Sequence, residues 1–282
     1  MTNATKEVNM LKSNIKLALF LIMTTVLLTF YLSFWVIVPV RNRVGRGWFK
    51  GCLGLCALDV KVEGEIATER PVLYTANHVS YLDIPIIGAL LDGCFVAKQE
   101  VAAWPLFGFL AKLSRTVFIN RATMQAMNQR QAMSRRLSRG NLILFPEGTS
   151  SNGRTVLPFK STLFSVARHG PHNDPIVIQP ISIAYARDID GAPLIGPRRD
   201  EYSWHGDMTM LPHLRRVFGL NGAEVRIIFH EPVLAERFET RKDLARYCHA
   251  RVLAGVERAH REALEAADET GVNDLGESPV AA

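Results

Sequence analysis

Two side chains five positions apart, His78 and Asp83, have the residue types needed for acid–base chemistry. A carboxylate that holds one imidazole nitrogen as N–H leaves the other nitrogen free to take a proton from an alcohol. On a regular helix a separation of five places two side chains roughly 140° apart, so contact requires residues 79–82 to fold back as a turn. The alternative is that His78 is a satisfied loop histidine and Asp83 is a helix N-cap.

The residues around this pair predict a strand before it and a helix after it. Residues 72–76 are apolar and partly β-branched, which is typical of a buried strand. The apolar run from Asp83 to about Leu91 has an early proline, which the first turn of a helix tolerates. We therefore expect His78 at the carboxyl end of a strand.

A second polar segment also follows a short apolar run. Residues 141–145 predict a buried strand, and residues 146–153 contain the proline, glycine and hydroxyl side chains typical of a loop. In an open α/β sheet, the loops at the carboxyl ends of neighbouring strands form the ligand crevice. The loops that carry His78 and Glu147 are therefore expected to face the same site.

Both segments resemble motifs of the glycerolipid acyltransferase family, whose members acylate glycerol phosphate and lysophospholipids. Two further segments resemble the second block and the proline-containing fourth block of that family. The four segments are residues 77–83, 117–121, 145–149 and 177–182. They occur in the family's order, and the resemblance extends over about residues 71–232, so the signature is much more specific than any single block.

The resemblance implies a role for each matched residue. His78 would be the general base and Asp83 would orient it, so the acceptor hydroxyl would attack an acyl thioester directly. No cofactor, metal or covalent acyl-enzyme is implied, and acyl-CoA or acyl carrier protein would be the co-substrate. The expected substrate-binding residues are Glu147 and Thr149 for the acceptor's polar head, Gly148 for close main-chain approach, Arg121 for an anionic group, and Lys98 or loop amides near Gly148 for the oxyanion.

Two positions depart from the family pattern and bear on the acceptor. Ser150 stands where an arginine usually follows the Gly-Thr pair, and Arg115 stands where the second block usually opens with glycine. Arg115, Arg154 or Lys160 would then have to supply cations for a phosphate. The sequence favours 1-acylglycerol-3-phosphate as acceptor, with a lyso-ornithine lipid as the alternative. Arg121 has a plainer interpretation as a surface arginine that ends a strand.

Two other function classes were compared with acyl transfer. A membrane-anchored lipid-binding protein without chemistry would not need the His78–Asp83 pair. A serine hydrolase would need a Gly-x-Ser-x-Gly elbow, which the sequence does not contain.

The amino-terminal region contains an uncharged stretch long enough to cross a membrane. No charged residue occurs in the 24 positions from Leu17 to Val40, and about 20 helical residues span a hydrocarbon core of ~30 Å. Basic residues follow, so the segment is interpreted as an uncleaved anchor. Either a helix over residues 17–40 spans the membrane, or the chain bends at Pro39 into a hairpin with residues 48–58. Activated acyl donors are made in the cytoplasm, so the catalytic domain is expected on the cytoplasmic face of the inner membrane.

Composition agrees with a membrane-associated α/β enzyme. The formal net charge of +6 and pI near 9.3 suit contact with anionic lipid headgroups, and no motif supports a nucleic-acid partner. The four cysteines form no metal-ligand pattern. We expect a mixed sheet flanked by helices, with an anchor over residues 1–58, an acyltransferase domain over 59–267 and a disordered tail over 268–282. Helices are expected near residues 101–113, 125–138 and 242–267.

Overall fold

The computed structural model describes residues 9–69, 71–119, 126–168 and 176–270. At its centre is a sheet of eight strands, which lie in the order β1-β7-β6-β2-β5-β3-β4, with β8 paired to β6. The strands are β1 (Leu58–Glu63), β2 (Val72–Ala76), β3 (Cys94–Lys98), β4 (Val117–Ile119), β5 (Leu142–Leu144), β6 (Val177–Asp188), β7 (Ala223–Phe229) and β8 (Val233–Leu234). The five strands from β6 to β4 run parallel, whereas β7 is antiparallel to β6. The sheet is therefore mixed, which confirms that expectation.

Helices cover both faces of the sheet. One face packs against α1, α2, α3 and α7, and the other packs against α5, α8 and a 3-10 helix at Ser161–Arg168. The helices are α1 (Met10–Ser33), α2 (Val38–Cys56), α3 (Asp83–Leu90), α4 (Phe107–Leu113), α5 (Ala126–Leu137), α6 (Gly196–Asp200), α7 (Met210–Gly219) and α8 (Arg241–Thr270). Because both faces are covered, the inner strands are buried on both sides rather than alternating; all five residues of β2 are buried.

Two expected elements differ from the structure. The helix expected at residues 101–113 is a 3-10 helix at Gln99–Ala103 followed by α4, because Pro105 disfavours helical geometry at Trp104, whose ψ is 132°. The disordered tail expected from residue 268 is wrong for residues 268–270, since α8 continues to Thr270 through alanine and glutamate, which are good helix formers. The remaining tail residues, 271–282, lie outside the described residues.

The amino-terminal region, expected to be an anchor, is a helical hairpin, so the alternative of one continuous helix over residues 17–40 is not present. The chain reverses between Ser33 and Val38, and Pro39 lies in the first turn of α2. In a continuous helix, the Pro39 ring would clash with the carbonyl of Trp35 and one hydrogen bond would be lost. Among the two arrangements left open by the sequence, the structure contains the bend.

The hairpin packs along its length on the catalytic domain. Near the start of α1, Lys12 donates to the Leu220 carbonyl at 2.9 Å. In its middle, the buried Phe20 ring lies 6.0 Å from the Phe218 ring, and near its end Tyr31 donates to the Leu113 carbonyl at 3.1 Å. The helix is therefore part of the domain surface rather than a stalk that projects from it.

Candidate active site

The position of the His78 loop is set by the side chain that precedes it. Asn77 follows β2 directly, and its buried amide pairs with both main-chain groups of Ile183 on β6: the amide N–H donates to the carbonyl at 2.9 Å, and the amide oxygen accepts from the N–H at 2.8 Å. This side chain extends the β2–β6 pairing by one residue. His78 therefore leaves the sheet at a defined point.

Residues 79–82 fold back as a turn, as the spacing of the pair requires. Asp83 Oδ2 accepts hydrogen bonds from the Val79 N–H at 2.7 Å and the Ser80 N–H at 2.9 Å. The interpretation of Asp83 as an N-cap was wrong: it is the first residue of α3, and its carboxylate binds the turn before the helix. Asp83 is fully buried, and its second oxygen accepts from the Tyr185 hydroxyl at 2.9 Å.

The expected contact between the base and its orienter is present. His78 Nδ1 lies 2.8 Å from Asp83 Oδ2, so the carboxylate selects the tautomer with the proton on Nδ1. The imidazole stacks on the Phe145 ring, with 4.2 Å between centroids and an angle of 16° between planes. The side chain is 19% exposed and lines a cavity. Its Nε2 is therefore left as a proton acceptor for a bound alcohol.

Glu147 connects the two loops. Its carboxylate is buried and accepts from the His78 N–H at 2.7 Å through Oε1 and from the Leu157 N–H at 3.0 Å through Oε2. Burial raises the pKa of Glu147 to about 8, and its two main-chain donors act in the opposite direction. Since both oxygens bind main-chain amides, this geometry favours a role in holding the base loop. Binding of the acceptor head by Glu147 stays a prediction.

The expected binding loop and Lys98 share one cavity with His78. Gly148, Thr149 and Ser150 line it from the loop after β5, and Lys98 lines it from the end of β3. Gly148 has φ +69° and donates to the Phe145 carbonyl at 3.0 Å, a tight turn that glycine adopts without strain. The structure thus brings His78 and Asp83 together with four of the five expected binding residues. Three of these, Lys98, Gly148 and Thr149, line the cavity, and Glu147 joins the two loops beside it.

This cavity has a volume of about 370 Å³ and a predominantly apolar lining. It extends from His78 to the amino-terminal hairpin, where Leu27 and Leu28 of α1 and Trp48 of α2 form part of its wall. A long apolar cavity with a base at one end suits a substrate with a hydrocarbon chain and a reactive polar group.

The basic residues considered for a phosphate have different surroundings. Arg121 lies outside the described residues. Arg154 forms an exposed ion pair with Asp200 at 2.8 Å. Neither Arg115, Arg154 nor Lys160 lines the cavity that contains His78. Among the described residues, no group of three or more histidine, cysteine or acidic side chains is arranged to hold a metal ion.

Sequence reasoning missed Tyr185, the residue that completes the surroundings of Asp83. A period-two signal was present, because Tyr185 follows Ile181 and Ile183 on one face of a buried strand. A fully buried tyrosine hydroxyl needs a hydrogen-bond partner. The sequence does not show which acid that partner is, because Tyr185 and Asp83 are separated by 102 positions.

Comparison with known proteins connects this geometry to lipid acylation. A family model described as Acyltransferase matches residues 59–184. The chain is 36% identical over 226 residues to the lyso-ornithine lipid O-acyltransferase of Rhizobium meliloti (strain 1021), covering 78% of this chain and 77% of that protein. It is 42% identical over 132 residues to the 1-acyl-sn-glycerol-3-phosphate acyltransferase of Neisseria gonorrhoeae, covering 45% of this chain and 51% of that protein.

A solved structure shares the fold. The crystal structure of the 1-acyl-sn-glycerophosphate acyltransferase from Thermotoga maritima matches with a TM-score of 0.59 and 22% identity, covering 87% of this chain and 97% of that chain. At this identity the match supports the architecture, including the mixed sheet with flanking helices.

Proposed function

The chain belongs to the glycerolipid acyltransferase family and is an acyltransferase, and on this basis we propose that it transfers a fatty acyl group from an acyl thioester to the hydroxyl of lyso-ornithine lipid. The observation that carries the proposal is the His78–Asp83 pair, joined at 2.8 Å beside an apolar cavity. A base and a hydrocarbon site are the two things that acylation of a lipid hydroxyl requires.

In the proposed reaction, His78 Nε2 takes the proton of the acceptor hydroxyl while the hydroxyl oxygen attacks the thioester carbonyl carbon. Asp83 stabilises the imidazolium that forms. The tetrahedral intermediate then collapses, the carbon–sulfur bond breaks, and the imidazolium protonates the leaving thiolate. Lys98 and the main-chain amides of residues 148–150 are the candidates for stabilising the oxyanion. The products are an ester and a free thiol, so no other reactant is needed.

Two observations favour lyso-ornithine lipid as the acceptor. The relatives of that name match over about three quarters of both chains, whereas the glycerol phosphate relatives from Neisseria match over about half. In addition, Ser150 lines the site where a phosphate-binding arginine was expected, and Lys98 is the one cation on the cavity wall within the described residues. A zwitterionic headgroup needs fewer cations than a phosphate monoester. We therefore reverse the preference drawn from the sequence.

The second candidate acceptor is 1-acylglycerol-3-phosphate. It is favoured by the higher identity, 42–43%, of the Neisseria relatives over the part of the chain that they match. Arg121 from the second block would then have to bind the phosphate, together with Lys98.

We also propose that the hairpin lies in the plane of the cytoplasmic face of the inner membrane. The apolar helix α1 is long enough to span a bilayer, yet its packing on α7 and α4 would have to break for it to do so. A row of exposed apolar residues extends along α1, and exposed basic residues lie on α2 next to it, as in helices that lie at a membrane surface. The exposed apolar residues on α1 are Leu11, Ile15, Leu19, Ile22, Val26 and Phe30. The exposed basic residues on α2 are Arg43, Arg46 and Lys50.

Acyl transfer is tested with the purified full-length protein in lipid vesicles, given labelled acyl thioesters and lyso-ornithine lipid. We expect labelled ornithine lipid from the parent, and His78→Ala should lower the rate by about two to four powers of ten. His205→Ala is the matched control, because His205 lies in a nearby loop and does not line the cavity. Turnover of His78→Ala at the parental rate would overturn the mechanism.

The acceptor is tested by Ser150→Arg, with Ser150→Gln as a neutral control of similar length. On lyso-ornithine lipid, the arginine should weaken binding because it faces the acceptor's ammonium, whereas glutamine should not. On 1-acylglycerol-3-phosphate, the arginine should leave binding unchanged or improve it. Parental activity confined to the phosphate acceptor would reject lyso-ornithine lipid in favour of the second candidate.

A further inference from the structure

A second cavity, separate from the one that contains His78, is surrounded by arginines. Arg115, Arg135, Arg136 and Arg139, together with Val117 and Phe118, line an open surface depression of about 290 Å³. We call this feature the arginine pit. It lies at the edge of the sheet, between β4 and the carboxyl end of α5. Arg115, Arg135 and Arg139 are exposed, and Arg136 is half-buried.

The arginines of the pit form no ion pair within the part of the chain that the structure describes. Residues 101–146 contain seven lysine and arginine residues and no aspartate or glutamate. The formal net charge of the whole chain is +6, so this segment accounts for the basic character and the rest is nearly neutral. The pit is therefore a localised positive surface that can attract an acidic partner.

Arg115 is held in a strained conformation beside the pit. The Arg115 N–H donates to the Lys112 carbonyl and the Thr116 N–H donates to the Ala111 carbonyl, both at 3.0 Å, so α4 ends in a Schellman motif with Arg115 at the position that favours glycine. Its φ is +60°, in the left-handed region that is unfavourable for side chains with a Cβ. Glycine would adopt this conformation at lower cost, so the arginine side chain is not required by the helix end.

The arginine pit is connected to the catalytic cavity through this same segment. Ser114 and Thr116, the chain neighbours of Arg115, line the cavity that contains His78. From the strand order and register, Arg115 lies roughly 20 Å from His78. An extended phosphopantetheine arm covers such a span. A donor bound at the pit would thus lie within reach of the base for an arm of that length.

We propose that the arginine pit docks the acidic surface of an acyl carrier protein, which delivers the acyl thioester to His78. The proposal rests on the proposed function and names the donor for it. The arginines supply charge complementarity, and Val117 and Phe118 beside them offer an apolar contact at the same surface.

The test compares two donors that carry the same acyl chain. One is a bacterial acyl carrier protein loaded with the acyl group, and the other is acyl-pantetheine, which lacks the protein. In Arg135→Glu/Arg139→Glu, the ratio of kcat/KM for the carrier donor to that for acyl-pantetheine should fall at least about tenfold, because like charges then face the partner. Arg241→Glu/Lys242→Glu, on the exposed start of α8, is the matched control and should leave the ratio unchanged.

Arg115→Gly separates docking from folding. Glycine relieves the strain at φ +60°, so its Tm should equal or exceed that of the parent, while the carrier ratio should still fall severalfold. The ratio in the parent should also fall with added salt, and less steeply in the charge-reversed variant.

Several results would overturn the inference. If the ratio is unchanged in both pit variants, the pit does not bind the carrier. If binding to anionic phosphatidylglycerol vesicles falls instead, the pit contacts the membrane. A parent that uses acyl-pantetheine and gains nothing from the carrier would refute the docking alone. A parent that transfers from neither donor would refute the proposed function together with it.

Discussion

The loops that carry His78 and Glu147 at the carboxyl ends of β2 and β5, here called the catalytic edge, and the amino-terminal hairpin are stabilised in opposite ways. At the catalytic edge, polar groups are buried and paired: Asp83 accepts from two main-chain amides and a tyrosine, and Glu147 accepts from two amides. In the hairpin, large apolar side chains are exposed, with Val36 at the turn 84% accessible. Buried polar pairs give a fixed geometry, whereas exposed apolar area gives adhesion without a unique orientation. The first property suits the proposed chemistry, and the second suits the proposed attachment to a membrane.

The substitution with the largest expected effect at the catalytic edge is Asp83→Asn. We expect the acyl transfer rate to fall by about two to four powers of ten, since the imidazole loses its charge partner. Unlike a surface change, it should also lower Tm, because the new amide N–H₂ must face one of four donors. Steady-state kinetics and thermal unfolding measure both effects. A full rate at unchanged Tm would mean that the buried contacts do not hold the base.

The attachment region is tested by replacing Leu19, Ile22 and Val26 on α1 with serine. Each change removes roughly 1 kcal/mol of apolar burial in the membrane, so vesicle partitioning should weaken by about two powers of ten. Serine at Val62, Ile66 and Leu264, which are exposed apolar residues away from the hairpin, is the matched control. Partitioning measured by vesicle flotation should respond to the first set alone; an equal response to both sets would remove the distinction between the two regions.

Tyr185→Phe tests whether the hydroxyl next to Asp83 contributes to the chemistry. Without this donor the Asp83 carboxylate, and with it the imidazole, is held less firmly, so kcat/KM should fall about three- to tenfold. Tyr202→Phe is the control, because Tyr202 stacks on Tyr185 but donates to the Gly222 carbonyl. An equal fall in both variants would point to a structural cause.

The smallest expected effect is on acid stability. Burial lowers the pKa of His213, His230 and His260 to about 4, against an ordinary value near 6.5. The unfolded chain therefore binds more protons at these residues, and their contribution to stability is lost as pH falls from 6.5 through 4. The raised pKa of Glu147 stabilises the folded state as pH falls, which offsets roughly the loss from one of the three histidines. Tm should fall by roughly 5–10 °C between pH 7 and pH 4.5; a Tm that rises on acidification would contradict this assignment.

Local patterns were sufficient where neighbouring residues decide the structure. The strand before His78, the turn before Asp83 and the strand before Glu147 are each encoded within about ten residues. Sequence reasoning failed where distant residues decide. Hydropathy did not decide between a continuous helix over residues 17–40 and a bend at Pro39, because it does not register a missing N–H, and Tyr185 was overlooked because its partner lies on another element. The sequence also did not show that the Glu147 carboxylate accepts from main-chain amides of two separate loops.

The main chain of the base loop is bound by segments that are far apart in sequence. The His78 carbonyl accepts from the Ser151 N–H, the Val79 carbonyl accepts from the Trp204 N–H, and Asn77 pairs with Ile183. Such long-range contacts form late in folding, after the chain closes large loops. Recovery of activity during refolding should therefore lag behind recovery of helical circular dichroism. A partly folded chain emerging from the ribosome would have no working base, so it would not acylate lipids before its domain is complete.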